Sequence, residues 1–205
     1  MIGLIGRKIG MTQIYKETGE VCPATALEVG PCPIVQIKKS DGNDGYNAIK
    51  LGFWESKNVS KPLKGIASKI GMPGQKVMGE FQIDEIGNFE AGAVLKADVF
   101  QVGDKVSIKG KIKGRGFAGV IKRHGFSGGD DTHGCRSHRV PGSISGSSDP
   151  SRVYKGKKMP GHYGASNMTI RGLEVVMVDP DKNLIFVKGA VPGPRQGIVY
   201  VTKQE

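Results

Sequence analysis

The chain has 205 residues, enough for one domain or a domain with an appendage, and its 38% apolar content supports a core of only modest size. Thirty Lys and Arg against nineteen Asp and Glu give a net charge of +11, a self-repelling balance that calls for an acidic partner. Cys22, Cys32 and Cys135 are odd in number and form no C-x-x-C pair, which argues against a disulfide scaffold and suits a reducing compartment.

The opening MIGLIGRKIGMTQIY carries neither the apolar run nor the small-residue cleavage site of a signal peptide. No window approaches the ~18 apolar residues of a membrane helix. A cytoplasmic protein with no membrane partner is expected. Along the chain, Ile9 to Tyr15 favours a strand, Glu17-Thr18-Gly19-Glu20 a hairpin turn, and Val21 to Val29 the returning strand. Pro33 to Lys39 and Tyr46 to Phe53 alternate around turn chemistry at Ser40 to Gly45. Lys61 to Ile70 has weak helical spacing and ends at Gly71, with Pro73 beyond. Met78 to Ile83 and Lys105 to Lys111 are further strands. After a long interruption, Leu173 to Val178 and Leu184 to Val187 flank the turn Asp179-Pro180-Asp181-Lys182-Asn183, and Ile198 to Val201 follows. Many short strands with regular turns predict a mainly β protein built on a small closed β-barrel. The predicted organisation is a globular body over residues 1–112 and 165–205, with a small helical insertion at 55–95, and a long irregular arm over 113–164.

The interruption holds most of the charge. From Lys109 to His162, twelve basic side chains face only Asp130, Asp131 and Asp149, a net of +9, while all the rest of the chain carries +2. All four histidines fall here: His124, His133, His138 and His162. Between Gly125 and Gly164 the bulky apolar or aromatic residues are few, so the segment cannot by itself offset the entropy of ordering. A charged loop without structure is the plain alternative; Pro141, Pro150, Pro160 and the spaced aromatics favour a defined path against a partner.

Three motifs in this stretch invite chemistry. Gly114-Arg115-Gly116-Phe117-Ala118-Gly119 matches G-x-G-x-x-G, with Phe117 to His124 as a possible short helix, but no βαβ unit surrounds it. Backbone that approaches a phosphate closely, among Lys111, Lys113, Arg115, Lys122 and Arg123, is the better reading. His133-x-Cys135-x-x-His138 lacks the paired half-sites of structural zinc, so no metal is expected, and histidines in such an arm more often stack on bases or bond phosphates. Ser143, Ser145, Ser147 and Ser148 near His138 and Asp149 lack a nucleophile elbow, so no catalytic residue is assigned. The run Lys155-Gly156-Lys157-Lys158-Met159-Pro160-Gly161-His162 would let successive lysines reach different phosphates from an extended backbone. An RNA-modifying enzyme and a DNA-architectural protein are the competing classes. The first needs a cofactor pocket or catalytic pair, the second a dimer helix and apolar wedges, and the sequence offers none of these.

Several of these motifs in one order resemble the universal large-subunit ribosomal protein L-three family in its bacterial form. They are Gly6-Arg7-Lys8-Ile9-Gly10-Met11-Thr12, Gly114 to Arg123, Ser137-His138-Arg139-Val140-Pro141-Gly142-Ser143-Ile144, Lys155 to Gly161, and Val187 to Gly193. The resemblance implies a translation-protein-like barrel, an arm threading ribosomal RNA toward the peptidyl-transferase centre, and an early role in large-subunit assembly. It also implies large-subunit ribosomal RNA and the neighbouring proteins L-fourteen and L-nineteen as partners, with no cofactor and no homo-oligomer. The residues expected to bind RNA are Arg7, Lys8, Lys111, Lys113, Arg115, Lys122, Arg123, His124, His133, Arg136, His138, Arg139, Arg152, Lys155, Lys157, Lys158 and His162. The arm's tip is expected at Ile144, Ser145, Gly146, Ser147, Ser148 and Asp149. The chain departs from the family pattern at Ser107, at Ile112 and at this tip, where Ser148 aligns with a glutamine that some members methylate.

Overall fold

The structure is a computed structural model that describes residues 2–16, 19–42, 44–84, 87 and 89–204. The expected turn residues Glu17 and Thr18, and Asn43 within the Ser40–Gly45 turn, lie outside the described residues. The chain divides into two compact units, Met1–Lys111 with Asn167–Glu205, and Ile112–Ser166.

The first unit is mainly β. Its strands are β1 (Gly3–Tyr15), β2 (Val21–Val29), β3 (Cys32–Lys38), β4 (Ala48–Glu55), β5 (Gln75–Gln82), β6 (Val94–Leu95), β7 (Lys105–Lys111), β10 (Asn167–Asp179), β11 (Leu184–Lys188) and β12 (Ile198–Lys203). Two further short strands, β8 (Gly116–Ala118) and β9 (Gly161–Tyr163), belong to the second unit. Six strands hydrogen-bond in the cyclic order β1-β12-β7-β10-β11-β2 and back to β1, all antiparallel, so each has a partner on both sides.

The alternation of β7 shows why the ring forms. Val106, Ile108 and Gly110 are buried, while Lys105, Lys109 and Lys111 are exposed, the period-two pattern of a strand with one dry face. Val199 and Val201 of β12, Ile185 and Val187 of β11, Val175 of β10 and Leu27 of β2 supply the other inward side chains. Each fully buried aliphatic side chain contributes about 1.5–3 kcal/mol. A polar exception, Thr25, is fully buried and donates its hydroxyl to Gly189 O at 2.6 Å, so its burial carries no unpaired group.

The strands β3 to β6 do not join the ring. They form a second sheet in the order β5-β4-β3-β6. Alternation around a turn marks Pro33 to Lys39 and Tyr46 to Phe53 as strands, which do pair with each other, but it carries no information about which sheet they join. The sheet shares the core: Ile34, Ile49, Leu51, Phe53 and Phe81 cluster with Leu4, Ile5 and Phe100. Cys32 lies inside this cluster, where burial pushes its thiol up to about 12, only partly opposed by backbone hydrogen bonds involving Ile5 and Gly30. It is therefore an inert core residue.

The helix α1 (Lys61–Lys69) has no side-chain cap at Ser60 and no acidic residue in its first turn, and buries only Ala67. Its first turn is therefore without side-chain or dipole support, and its hold on the core is slight. Among the described residues, no helix is long and apolar enough to cross a membrane.

Candidate nucleic-acid interface

The second unit interrupts the sequence between β7 and β10, two strands that pair directly with Lys111 opposite Asn167. Its two limbs are joined at their base. Ile112 N donates to Ser166 O at 3.0 Å, and Arg115 N to Tyr163 O at 2.8 Å. The strands β8 and β9 then pair in the register Gly116↔Tyr163, Phe117↔His162 and Ala118↔Gly161. The sequence allows a short helix from Phe117 to His124 in this segment. Instead Gly116–Ala118 is a strand and the helix α2 covers only Val120–His124, because the backbone of 116–118 is taken by β9. Gly125 closes α2 at φ 75° in the left-handed region.

Just beyond these strands, Arg123 Nη1 donates to Met159 O at 2.7 Å, and His124 Nε2 lies 3.0 Å from the same oxygen. Glycine at 161 leaves room for this clasp, since a Cβ there would lie 2.7 Å from Arg123 Nη1 and displace the guanidinium. Two of the expected RNA-binding residues thus spend a donor on joining the limbs. The guanidinium of Arg115 lies 5.1 Å from the centre of the Tyr163 ring, and that of Arg152 lies 5.2 Å from the Tyr154 ring, distances of cation–π contact.

Farther along, Gly129 N donates to His138 O at 3.0 Å, while His138 Nδ1 sits 2.6 Å from Asp130 O and 3.9 Å from Asp131 Oδ1. The tip is closed by Ser145 Oγ, which donates to Arg152 O at 2.9 Å, and Ser143 Oγ donates to Ser145 O at 3.0 Å. One serine hydroxyl of the tip and one just before it therefore satisfy local carbonyls. Among the described residues no group of three or more His, Cys, Asp or Glu is placed to hold a metal ion.

Lys111, Lys113, Arg115, Lys122, His133, Arg136, Arg139, Arg152, Lys155, Lys157, Lys158 and His162 are exposed. None of them has an acidic partner within 4.0 Å among the described residues. Arg7 and Lys8 stand differently, in the first unit. Arg7 pairs with Glu28 and lies 5.1 Å from the Trp54 ring, while Lys8 Nζ donates to Val191 O at 2.7 Å.

Two exposed aromatics were missed as candidate contacts. Phe117 is 79% exposed and Tyr154 60% exposed. The first was recoverable from the sequence: in Gly116-Phe117-Ala118 an inward Ala118 forces Phe117 outward. An outward phenylalanine among uncompensated cations is wasteful in water and suited to a base.

The structure thus defines a β protein whose buried apolar residues are concentrated in one unit and whose net positive charge is concentrated in the other. The family model for Ribosomal protein L3 matches residues 72–183. Large ribosomal subunit protein uL3 of Alkaliphilus metalliredigens (strain QYMF) is 51% identical over 98% of this chain and 96% of its own length. The protein of the same name from Thermosipho africanus (strain TCF52B) is 49% identical over 97% and 96%. That from Desulforapulum autotrophicum is 47% identical over 98% of both. The chain belongs to the ribosomal protein L3 family, whose members are structural, non-enzymatic parts of the ribosome.

Proposed function

We propose that the chain is a bacterial-type structural protein of the large ribosomal subunit that grips large-subunit ribosomal RNA with its second unit. One observation carries the reading: in residues 112–166 ten Lys and Arg face three Asp, and the basic side chains named above find no acidic partner among the described residues. Phosphates neutralise such a surface, and Phe117 with Tyr154 offers bases a stacking face. In this reading the six-stranded ring is the translation-protein-like barrel, and 113–164 is an arm directed toward the peptidyl-transferase centre. Ile144 to Asp149, small and nearly uncharged, form its tip, while Arg136, Arg139, Arg152, Lys155, Lys157 and Lys158 fix its path. Support of early assembly and contact with neighbouring large-subunit proteins, L-fourteen and L-nineteen among them, complete the proposal, and the place of action is the cytoplasmic ribosome.

The test is the affinity of the full chain for large-subunit rRNA fragments as salt is raised. With six to ten phosphate contacts, affinity falls by roughly 10³–10⁵ between 50 and 200 mM salt. A flat response would overturn the reading.

A further inference from the structure

We propose that the outer edge of β5 receives an extended, carboxylate-bearing segment of a neighbouring large-subunit protein, which adds a fifth strand to the four-stranded sheet. In that sheet β5 pairs only with β4, so its other edge has no strand partner among the described residues. The ring is closed, but the far half of β1 pairs only with β2 and the first half of β10 only with β7, and β6 at the sheet's far side is two residues long. The eight-residue β5 is a strand whose outer edge has no strand partner along its whole length among the described residues.

Register tells which groups face outward. Ile83 N donates to Asn47 O, and the pairing with β4 runs from Ala48↔Gln82 through Phe53↔Val77 without a register shift. Antiparallel alternation then turns the N–H and C=O of Met78, Glu80 and Gln82 away from β4. Edges meant to stay free are usually blunted by a proline, a bulge or projecting lysines. Here there is no proline and no bulge, and the ammonium of Lys76 is drawn 4.2 Å from the Trp54 ring.

A groove of about 850 Å³ runs along this edge, between Val77, Gly79 and Phe81 on one side and Lys109, Lys111 and Tyr200 on the other. The sheet stays close to β12 because residue 79 is glycine: a Cβ there would lie 2.5 Å from Tyr200 Cε1. The groove is large enough for several residues of extended chain. Its apolar side chains suit alternate side chains of a strand, and Lys109 and Lys111 have no acidic partner among the described residues, which asks for Asp or Glu in the occupant. A polypeptide fits better than RNA for a simple reason. A strand carries donors and acceptors in the same repeat as the edge and so satisfies both outward groups, whereas an RNA backbone's phosphates only accept and its 2′-hydroxyls do not recur in that register.

The experiment compares amide hydrogen exchange of the unmodified chain, free and within purified large subunits. Exchange at Met78, Glu80 and Gln82 should slow by about a hundredfold or more in the subunit. In parallel, benzoylphenylalanine placed at Gln82 and illuminated in purified subunits should cross-link to an extended protein segment containing Asp or Glu, and Lys109→Glu should cut that yield several-fold. Unslowed exchange, or cross-links to rRNA alone, would overturn the inference. It rests on the chain's place in the large subunit: a chain that never enters subunits refutes that reading, whereas an incorporated chain with fast β5 amides refutes only the added strand.

Discussion

The first unit and residues 112–166 use opposite chemistry. In the first, inward strands bury Leu4, Ile5, Leu27, Ile108 and Ile185 completely. In the second, only Ala118 and Val120 are buried, and order comes from backbone carbonyls: Met159 O holds Arg123 and His124, Arg152 O holds Ser145, and Asp130 O holds His138. Hydrogen bonds of this kind contribute about 0.5–1.5 kcal/mol each, because water competes for the same groups. A unit built this way is shaped by its own chain and left to a partner for rigidity. The difference teaches that the two units answer to different perturbations, cavities in one and charge in the other.

The largest effect is expected from a cavity in the first unit. Leu27→Ala should lower global stability by about 2–5 kcal/mol, read from denaturant unfolding. A cost below about 1 kcal/mol would mean that the ring is not the stable part. Next comes the matching perturbation of the second unit. Neutralising Lys157 and Lys158 together should leave the unfolding midpoint unchanged, and should reduce the slope of log affinity for rRNA against log salt by about 1.4–1.8. A shifted midpoint with an unchanged slope would reverse the division. Third, brief trypsin digestion of the free chain should cut first between Arg136 and Lys158, where exposed basic residues lie on backbone with little apolar cover. First cuts within the ring strands would erase the contrast.

The smallest effect belongs to an ion pair of the first unit. Asp104 is held below the usual carboxylate range, first by Lys203 at 2.9 Å and then by the Gln101 N–H. Because the folded value is the lower one, the pair's contribution is present above the unfolded carboxylate value. It is lost as pH falls through the folded one. Lys203→Ala should cost less than about 1 kcal/mol near neutral pH, and the difference between variant and parent should shrink on acidification.

These contrasts also explain what could be read from the sequence. The range Lys105 to Lys111 was legible to the residue as β7, and Val21 to Val29 as β2, because alternation is a local signal. The strand β10 was recognised only from Leu173 to Val178, although it begins at Asn167. Its opening residues are mostly exposed and mix polar with apolar side chains, and they are strand because β7 pairs with them. The short strand β9 escaped for the same reason, since nothing in Gly161-His162-Tyr163 favours a strand until Gly116 to Ala118 lies opposite. In the candidate interface, charge was legible and donors were not: no spacing rule reveals that Arg123 and His124 both turn to Met159 O.

The cyclic strand order has a consequence in time. In the ring, β12 stands between β1 and β7, yet it is the last of the six to be synthesised. Until Ile198 to Lys203 emerge, β1 and β7 each lack one neighbour, and the basic unit has already been made in full. Closure must therefore bring together residues almost a full chain apart, Gly3 with Thr202 and Leu4 with Val201. Contacts so distant in sequence slow folding and leave strand edges open meanwhile. The nascent protein thus spends its most aggregation-prone interval with its polyanion-seeking segment already available, and a partner that captures that segment early would hold the unfinished ring apart from other copies of itself.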